Sequence, residues 1–292
     1  MNMAKSTSAL AVDGGGTRCR FLLLHDGMRH VVDGGPANVS TNFDAATEVL
    51  RSGVSRLADV AGLSEEVVAT CPAFVGIAGV TGPEIVGRLT RTLPFKNAVY
   101  ADDRPGALRG ALGDADGVIA LCGTGSFFAS QIGGVTRLAG GWGSVLGDEA
   151  SAHWVGRRLL SMTLRSVDGF TPASSVTEAV LSQFGDAAGV VAFAGRASPA
   201  EIGALAPLVT QALDEGDLIA RMVMQDAATD LADGLTGIGW EPGLTICLTG
   251  GIGPQFAPLL PKTMQADLQP PKAAPIEGAM ALAQEHAARC AG

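Results

Sequence analysis

Residues 9–24 read ALAVDGGGTRCRFLLL, the segment with the most informative pattern in the chain. An apolar run from Ala9 to Val12 ends at Asp13, and three glycines lead into a second apolar run that reaches Leu24. Glycines allow tight curvature and leave the backbone N–H groups uncovered by side chains. The pattern therefore predicts two antiparallel strands joined by a turn that can hold an anion such as phosphate.

The same plan occurs again at residues 118–132, where Gly123-Thr124-Gly125-Ser126 separates two apolar runs. A third glycine turn, Gly250-Gly251, follows an apolar run that begins at Leu244. Each turn alone also fits an ordinary hairpin or a strand-to-helix connection. A Walker A loop is excluded because Gly-Lys-Ser/Thr occurs nowhere in the chain, and the Gly123 turn lacks the third glycine of a dinucleotide fingerprint.

Composition limits the classes of protein to consider. The chain has 292 residues, 47% hydrophobic and 17% charged, so it can bury a large core. Its net charge is −9 and no stretch concentrates Lys or Arg, which argues against nucleic-acid and membrane-surface partners. The five cysteines are scattered without a CxxC pair, which disfavours zinc and a disulfide framework. Without an apolar run of about 20 residues or a signal segment, we expect a cytoplasmic protein.

Two neighbouring carboxylates, Asp102 and Asp103, follow a short apolar run that ends at Ala101. A carboxylate at a strand end suits the role of a general base. A predicted helix from Gly106 to Leu112 gives Asp103 a second interpretation as its N-terminal cap. Asp13, at the end of the first strand, is placed to hold Mg²⁺ directly or through water.

These segments, in this order, resemble the N-acetylglucosamine kinase and glucosamine kinase branch, with the BadF/BadG-type ATPases, of the actin/Hsp70/sugar-kinase superfamily. The resemblance runs from about Ala9 to Ala283. The matching segments are AVDGGGTRCRFLLL, VYADDRPGAL, IALCGTGSFF, GGWGSVLGDEASAHWVG, ICLTGGIGP and PIEGAMALA.

The resemblance implies a two-lobed α/β actin-like ATPase fold with ribonuclease H-like lobes. Each lobe would carry a mixed five-stranded sheet flanked by helices, with ATP in the cleft between lobes that close on substrate. The turn-rich polar stretch from Gly113 to Gly117 indicates the boundary between the lobes, and the resemblance returns the last helix to the first lobe. Residues 1–113 and 277–292 are therefore assigned to the N-terminal lobe and residues 114–276 to the C-terminal lobe.

The resemblance also implies roles for individual residues. Asp13 would bind Mg²⁺, and Asp103 is favoured over Asp102 as the base, although the family's usual Ala is replaced here by Arg104. The residues implied to bind ATP are Gly14, Gly15, Gly16, Thr17, Gly123, Thr124, Gly125, Ser126, Gly250 and Gly251. The residues implied to bind the sugar are Asn38, Asp103, Thr124, Gly141, Trp142, Gly143 and Asp148.

Several of these residues have a structural alternative. Asn42 competes with Asn38, and either can simply form a turn. Trp142 fits the core as well as a sugar ring. Asp148 can accept sugar hydroxyls or cap a helix that would begin at Glu149. Arg18, after the first turn, either points towards a ligand or pairs on the surface.

We therefore expect ATP-dependent phosphorylation of an amino sugar, glucosamine first and N-acetylglucosamine as the alternative. Two further alternatives are an ATPase activator of a CoA-thioester reductase and a non-catalytic sugar-binding module. The activators carry cysteines for an iron–sulfur cluster, and no cysteine pair is placed for one here. The expected ligands are ATP, Mg²⁺ and a small amino sugar, without nucleic acid or membrane, and a homodimer is left open.

Overall fold

The computed structural model describes residues 8–291 and divides into two compact units. Unit 1 ends at Asp114 and resumes at Pro271, and unit 2 spans Ala115–Pro270. Each unit is an α/β layer structure with a mixed sheet and flanking helices. Among residues 8–291, no helix has both the length and the apolar character needed to cross a membrane.

Unit 1 is built on a five-stranded sheet with the strand order β3-β2-β1-β4-β5. The first strand is antiparallel to the second and parallel to the fourth, and the fourth is parallel to the fifth. The carboxyl ends of these three parallel strands therefore lie at one edge of the sheet. The strands are β1 (Ala9–Gly14), β2 (Cys19–His25), β3 (Met28–Gly34), β4 (Ala73–Ile77) and β5 (Ala98–Ala101).

Four helices precede the second unit, and the longest of them covers one face of the sheet. Its Leu50, Val54 and Leu57 are buried with sheet residues such as Leu10 and Val12 in one apolar cluster. The side chain of Asn42 caps this helix by accepting the N–H of Ala45 at 3.0 Å. The helices are α1 (Phe43–Ala61), α2 (Glu65–Thr70), α3 (Pro83–Thr92) and α4 (Arg104–Leu112).

Unit 2 has a four-stranded sheet in the order β8-β7-β6-β9, so the prediction of five strands in each lobe is wrong here. At the position of a fifth strand, Leu268 makes a single parallel bridge to Ile246. Pro270 and Pro271 follow at once, and proline has no N–H to extend a ladder. The strands are β6 (Gly117–Cys122), β7 (Ser126–Ile132), β8 (Val135–Gly140) and β9 (Ile246–Thr249).

A block of helices separates β8 from β9 and forms the larger apolar core of the molecule. The side chain of Asp217 joins two of these helices, since it accepts the N–H of Ala220 at 3.0 Å and the N–H of Val176 at 3.1 Å. The elements are α5 (Ala152–Val167), α6 (Ser175–Phe184), α7 (Ala187–Ala194), α8 (Pro199–Gly203), α9 (Ala206–Asp214), α10 (Leu218–Gly237), a 3₁₀ helix (Gly253–Leu259) and α11 (Lys262–Ala266).

The last helix, α12 (Pro275–Ala291), packs on unit 1 against both the sheet and α4. A Cβ atom on Gly278 would lie 2.0 Å from the carbonyl oxygen of Gly106 and 2.3 Å from the amide nitrogen of Gly110. Only glycine permits this approach. The chain returns to unit 1 earlier than the predicted residue 277, because Lys272 donates its N–H to the Ala111 carbonyl at 3.0 Å.

Candidate active site

The polar edge of unit 1 follows from the register of its sheet. Asp13 lies opposite Arg20 on β2 and Gly76 on β4, and Gly76 lies opposite Ala101 on β5. Asp102 and Asp103 come directly after Ala101. The strand order thus brings three carboxylates to the edge of the sheet where the first glycine turn also lies.

The first turn is a narrow loop fixed through its carbonyl groups. Gly15 donates its N–H to the Arg18 carbonyl at 2.9 Å and accepts the N–H of Ala37 at 3.0 Å. The Gly14 carbonyl accepts the N–H of Ala78 at 2.7 Å. Gly16, Thr17 and Arg18 are exposed, and a Cβ atom on Gly16 would meet nothing within 4 Å. The turn is therefore open to a ligand.

The two carboxylates after β5 have different environments. Asp102 accepts the N–H of Arg104 at 2.9 Å and its Nε at 2.7 Å, and it also pairs with Nη2 of that guanidinium. Asp103 stands at the N-cap position of α4, but its side chain makes no capping hydrogen bond, so its interpretation as a cap is wrong. Arg104 therefore pairs with the Asp102 carboxylate, whereas the Asp103 carboxylate remains available to act on a ligand.

The pKa of Asp103 is raised to about 7, first by burial and then by the negative charges of Asp102 and Asp13. A general base works best when its pKa is close to the working pH. Burial also raises the pKa of Asp13, while the charges of Arg20 and Arg18 lower it. A cation near these carboxylates would therefore stabilise their charged forms.

Asn38 lies beside the end of β4, where it forms a parallel bridge with Ala78. Its Oδ1 accepts hydrogen bonds from Ser40 N–H at 3.0 Å, Ser40 Oγ at 2.8 Å and Thr41 N–H at 3.2 Å. These bonds fix the orientation of the amide group, and within residues 8–291 its NH₂ remains able to donate. The competing Asn42 is occupied as the cap of α1.

The second turn lies at the corresponding edge of unit 2 and is covered by the chain that leads into α5. Ala152 and His153 donate their N–H groups to the carbonyls of Gly123, at 2.8 Å, and Thr124, at 3.4 Å. The Ser126 hydroxyl donates to the Glu149 carbonyl at 2.6 Å. The turn and residues 147–153 therefore form one hydrogen-bonded element.

Asp148 sits at the centre of this element. It is only 8% exposed, and both it (φ 64°) and Ala150 (φ 61°) adopt the left-handed conformation. Such strained residues cluster at functional sites. Burial raises the pKa of the Asp148 carboxyl, against the N–H groups of Ser126 and Gly143 that donate to it. A Cβ atom on Gly125 would lie 2.8 Å from Asp148 Oδ2, so glycine is needed there.

The cap of α5 is Ser151, whose Oγ accepts the N–H of Trp154 at 3.1 Å. The alternative in which Asp148 caps a helix beginning at Glu149 is therefore wrong. His153 is 6% exposed, and burial followed by the charge of Arg157 lowers its pKa, while Asp148 acts in the opposite direction. The proximity of this histidine to Asp148 could not be predicted, since an isolated histidine forms no sequence pattern.

The glycine-rich loop before Asp148 is open to solvent. Gly141 and Gly143 have φ values of 73° and 87°, and Trp142 between them is 75% exposed. The alternative that places Trp142 in the core is therefore wrong. Val145 and Leu146 are also exposed. An exposed apolar loop beside a buried carboxylate is suited to contact a ligand with an apolar face.

The third turn follows β9 and presses against the end of β6. Gly250 has a φ of 81°, and a Cβ atom there would lie 2.3 Å from the Cys122 carbonyl oxygen. Ile252 donates its N–H to the same oxygen at 3.1 Å. A Cβ atom on Gly251 would meet nothing within 4 Å, so the outer side of this turn is open.

The structure thus groups the predicted site residues within each unit. Unit 1 brings together the first turn, Asp13, Asn38 and Asp103 at one edge of its sheet. Unit 2 brings together the second turn, Asp148 and the loop of Gly141, and it places Gly250 at the end of the neighbouring strand. Glycine turns that expose backbone N–H groups can hold phosphate oxygens, and a carboxylate of raised pKa can act as a general base.

Comparison with known proteins gives the family. The chain belongs to the BadF/BadG/BcrA/BcrD ATPase family, whose sequence profile matches residues 10–283. Membership of this ATPase family implies the use of ATP.

Three similar proteins cover most of the chain. Glucosamine kinase GspK of Vibrio cholerae is 26% identical over 278 residues, 94% of this chain and 95% of that protein. N-acetylmuramic acid/N-acetylglucosamine kinase of Clostridium acetobutylicum is 25% identical over 237 residues, 76% of each chain. The crystal structure of a candidate N-acetylglucosamine kinase from Chromobacterium violaceum has 32% identity and a TM-score of 0.84, and the match covers 95% of this chain and 99% of that one.

Proposed function

We propose that this protein transfers the terminal phosphate of ATP to a hydroxyl group of an amino sugar, with Asp103 as the general base. The observation that carries the proposal is the Asp103 carboxylate, which lies beside the first glycine turn, is free of the Arg104 pair and has a pKa raised to about 7. Asp103 takes the hydroxyl proton as the sugar oxygen bonds to the γ-phosphorus and the bond to ADP breaks.

The glycine turns supply the nucleotide contacts in this proposal. The first turn (Gly14 to Thr17) and the second turn (Gly123 to Ser126) present backbone N–H groups to phosphate oxygens. The turn of Gly250 and Gly251 lies along the adenosine, where the open side of Gly251 leaves room for a flat group.

Asp13 is the residue that would bind Mg²⁺ in this proposal. It is a hard oxygen ligand at the strand end, and burial, which raises its pKa, makes a nearby cation favourable. Mg²⁺, when bound, neutralises charge on the phosphate groups. Because the substrate ATP is a cytoplasmic metabolite, we place the reaction in the cytoplasm.

The sugar contacts come from three kinds of group. Asp148 has lone pairs beyond those used by Ser126 and Gly143, so it can accept sugar hydroxyls. The amide of Asn38 is oriented with its NH₂ as a donor. The exposed ring of Trp142 offers an apolar face to the sugar.

Glucosamine is the first choice of substrate because the GspK relative covers nearly the whole chain. N-acetylglucosamine is the second, supported by the Chromobacterium violaceum structure at 32% identity. Both relatives support the same class of reaction, the phosphorylation of an amino sugar. The two candidate substrates differ only in the N-acetyl group.

The test is an ATP-consumption assay in which ADP release is coupled to an absorbance change. Glucosamine, N-acetylglucosamine, glucose, mannosamine and N-acetylmannosamine are compared with Mg-ATP. We expect ADP release above the sugar-free rate with at least one of the two glucosamine compounds. Sugar binding without ADP release would favour the non-catalytic module, and the visible spectrum of an iron–sulfur cluster would favour the reductase activator.

A further inference from the structure

The cations at the polar edge of unit 1 differ in their partners. Arg20 donates from Nε to Asp33 Oδ1 at 3.3 Å, and Arg104 is held by Asp102. Arg18 forms no side-chain hydrogen bond or ion pair with any other residue within 8–291. It is therefore the cation whose guanidinium is left available at this edge of the described structure.

The position of Arg18 places that guanidinium at the first glycine turn. Its carbonyl oxygen closes the turn by accepting the N–H of Gly15 at 2.9 Å. Arg20 is directly opposite Asp13 across the β1–β2 ladder, and Arg18 comes two residues earlier. Its charge acts on the Asp13 carboxyl, so the two side chains are neighbours. Arg18 is itself exposed.

The negative charge at this edge of the sheet means that a bound phosphate group would need a nearby cation. Asp13, Asp102 and Asp103 are all acidic, and the whole chain carries a net charge of −9. A polyphosphate brought beside these carboxylates is repelled unless cations offset the charge. The second turn, Gly123 to Ser126, contains no basic residue, so the first turn must supply any side-chain cation of the two turns.

We infer that Arg18 is a further catalytic residue, which binds the terminal phosphates of the nucleotide and stabilises the charge that develops there during transfer. Arginine suits this role because its planar donors match phosphate oxygens and remain charged at all working pH values. The inference rests on the proposed use of ATP at the first turn. It makes the cation part of unit 1, beside the Asp13 carboxyl.

The experiment measures nucleotide binding by calorimetry in the wild-type protein, Arg18→Gln and Arg18→Lys. We expect Arg18→Gln to bind Mg-ATP about tenfold more weakly, the scale of one charge-assisted contact at an exposed position. The affinity for AMP, which lacks the terminal phosphates, should change less than about twofold. Arg18→Lys should lie between, because a point charge replaces the fork of donors.

Turnover gives the second readout. With the best amino sugar, Arg18→Gln should lower kcat by about 10²-fold, as expected for the loss of a group that stabilises transition-state charge. The matched control is Arg91→Gln, an identical charge change on the exposed last turn of α3, which should leave ATP affinity and kcat unchanged. Thermal unfolding of each variant checks that the exposed Arg18 position does not affect folding.

The outcomes separate this inference from the proposed function. Wild-type ATP affinity in Arg18→Gln, or an equal loss of ATP and AMP affinity, would overturn the inference. A wild-type protein that binds ATP but phosphorylates no amino sugar overturns the proposed function alone, and the binding comparison still decides the role of Arg18. A wild-type protein that binds no ATP overturns both.

Discussion

The two glycine hairpins share a strand plan and differ in what covers them. In unit 1 the turn residues Gly16 to Arg18 are exposed and lie at the same edge of the sheet as three carboxylates. In unit 2 the turn from Gly123 to Ser126 is partly buried and bonded to residues 147–153. The turn of unit 1 is thus left open beside carboxylates, whereas that of unit 2 is fixed by hydrogen bonds. The proposed function accordingly assigns proton transfer to the edge of unit 1 and ligand holding to that of unit 2.

The similarity of the units reaches into their cores. Phe21 is the third residue of β2 and Phe128 the third residue of β7. Each ring lies over a helical glycine, Gly53 in α1 and Gly234 in α10, where an added Cβ atom would lie 2.1 Å from the ring. The repeat is therefore one of packing as well as of strand order, although the sequences of the two hairpins differ.

The largest effect is expected at the carboxylates of unit 1. Asp103→Asn should lower kcat by about 10²–10⁴-fold, the usual contribution of a positioned base, with ATP affinity little changed. Asp102→Asn is the matched control. Its kcat should fall far less than that of Asp103→Asn, because the Asp102 carboxylate is paired with Arg104. Steady-state kinetics with the best amino sugar measures both. An equal or larger loss in Asp102→Asn would reverse the assignment.

The counterpart in unit 2 is Asp148. Asp148→Asn should lower kcat/KM for the sugar by about 10–100-fold, because a charged acceptor buried at the loop is replaced by a group that also donates. ATP affinity should stay within about twofold. Glu149→Gln, at the exposed neighbour, is the control and should change sugar kcat/KM little. If Asp148→Asn weakens ATP and sugar equally, the holding role assigned to unit 2 is wrong.

The packing repeat can be tested through stability. Gly53→Ala forces a methyl group against Phe21, which is fully buried, and should cost about 1–3 kcal/mol of the free energy of unfolding. Gly234→Ala should cost less, because Phe128 is only partly buried and its ring can yield. Gly237→Ala in α10 meets nothing within 4 Å and should gain up to about 1 kcal/mol.

Urea unfolding at neutral pH measures all three glycine variants. If Gly53→Ala and Gly234→Ala lower the free energy of unfolding equally, the two cores are equally rigid and the expected difference between Phe21 and Phe128 is wrong. A loss in Gly237→Ala would show that the measured costs reflect glycine in general and not the two rings.

Between its third and fourth strands unit 2 contains six helices where unit 1 has two, and Asp217 joins two of the six. Burial alone would raise the pKa of Asp217, but hydrogen bonds from Ala220 N–H, Val176 N–H and the Ser175 hydroxyl outweigh burial and lower it. Asp217→Asn should cost about 1–2 kcal/mol of stability at pH 7.

The pH dependence of stability checks the same group. A lowered pKa means that the ionised Asp217 stabilises the fold above its unfolded pKa of about 4, and that this contribution is lost as the pH falls through the folded value. The difference in unfolding free energy between wild type and Asp217→Asn should therefore shrink below about pH 4. A difference that is constant with pH would contradict the assignment.

The sequence was informative where polarity changes sharply. Both hairpins were predicted, because an apolar run, glycines and a second apolar run have few other solutions. β8 was missed, since Val135 and Leu138 are exposed and Arg137 interrupts them, so no apolar alternation marks the strand. A fifth strand in unit 2 was wrongly expected, because the resemblance does not show that two prolines end the pairing at Leu268.

The residues of the candidate site could be predicted from the sequence, but their hydrogen-bond partners and backbone conformations could not. The order Asp102, Asp103 does not reveal which carboxylate Arg104 holds. The left-handed conformations of Asp148 and Ala150, which move the start of α5 to Ala152, have no sequence pattern outside glycine. The roles given to these residues stay predictions until the variants above are measured.

The most direct test of the account is the pH dependence of kcat/KM for sugar phosphorylation. In the proposed mechanism Asp103 must be ionised, and because its pKa is raised to about 7, kcat/KM should fall as the pH drops below about 7. Asp102→Asn removes one of the negative charges that raise this pKa and should move the fall to lower pH. Two results would contradict Asp103 as the base. One is a wild-type kcat/KM that falls only near pH 4, the ordinary carboxyl range. The other is a fall in kcat/KM that occurs at the same pH in Asp102→Asn as in wild type.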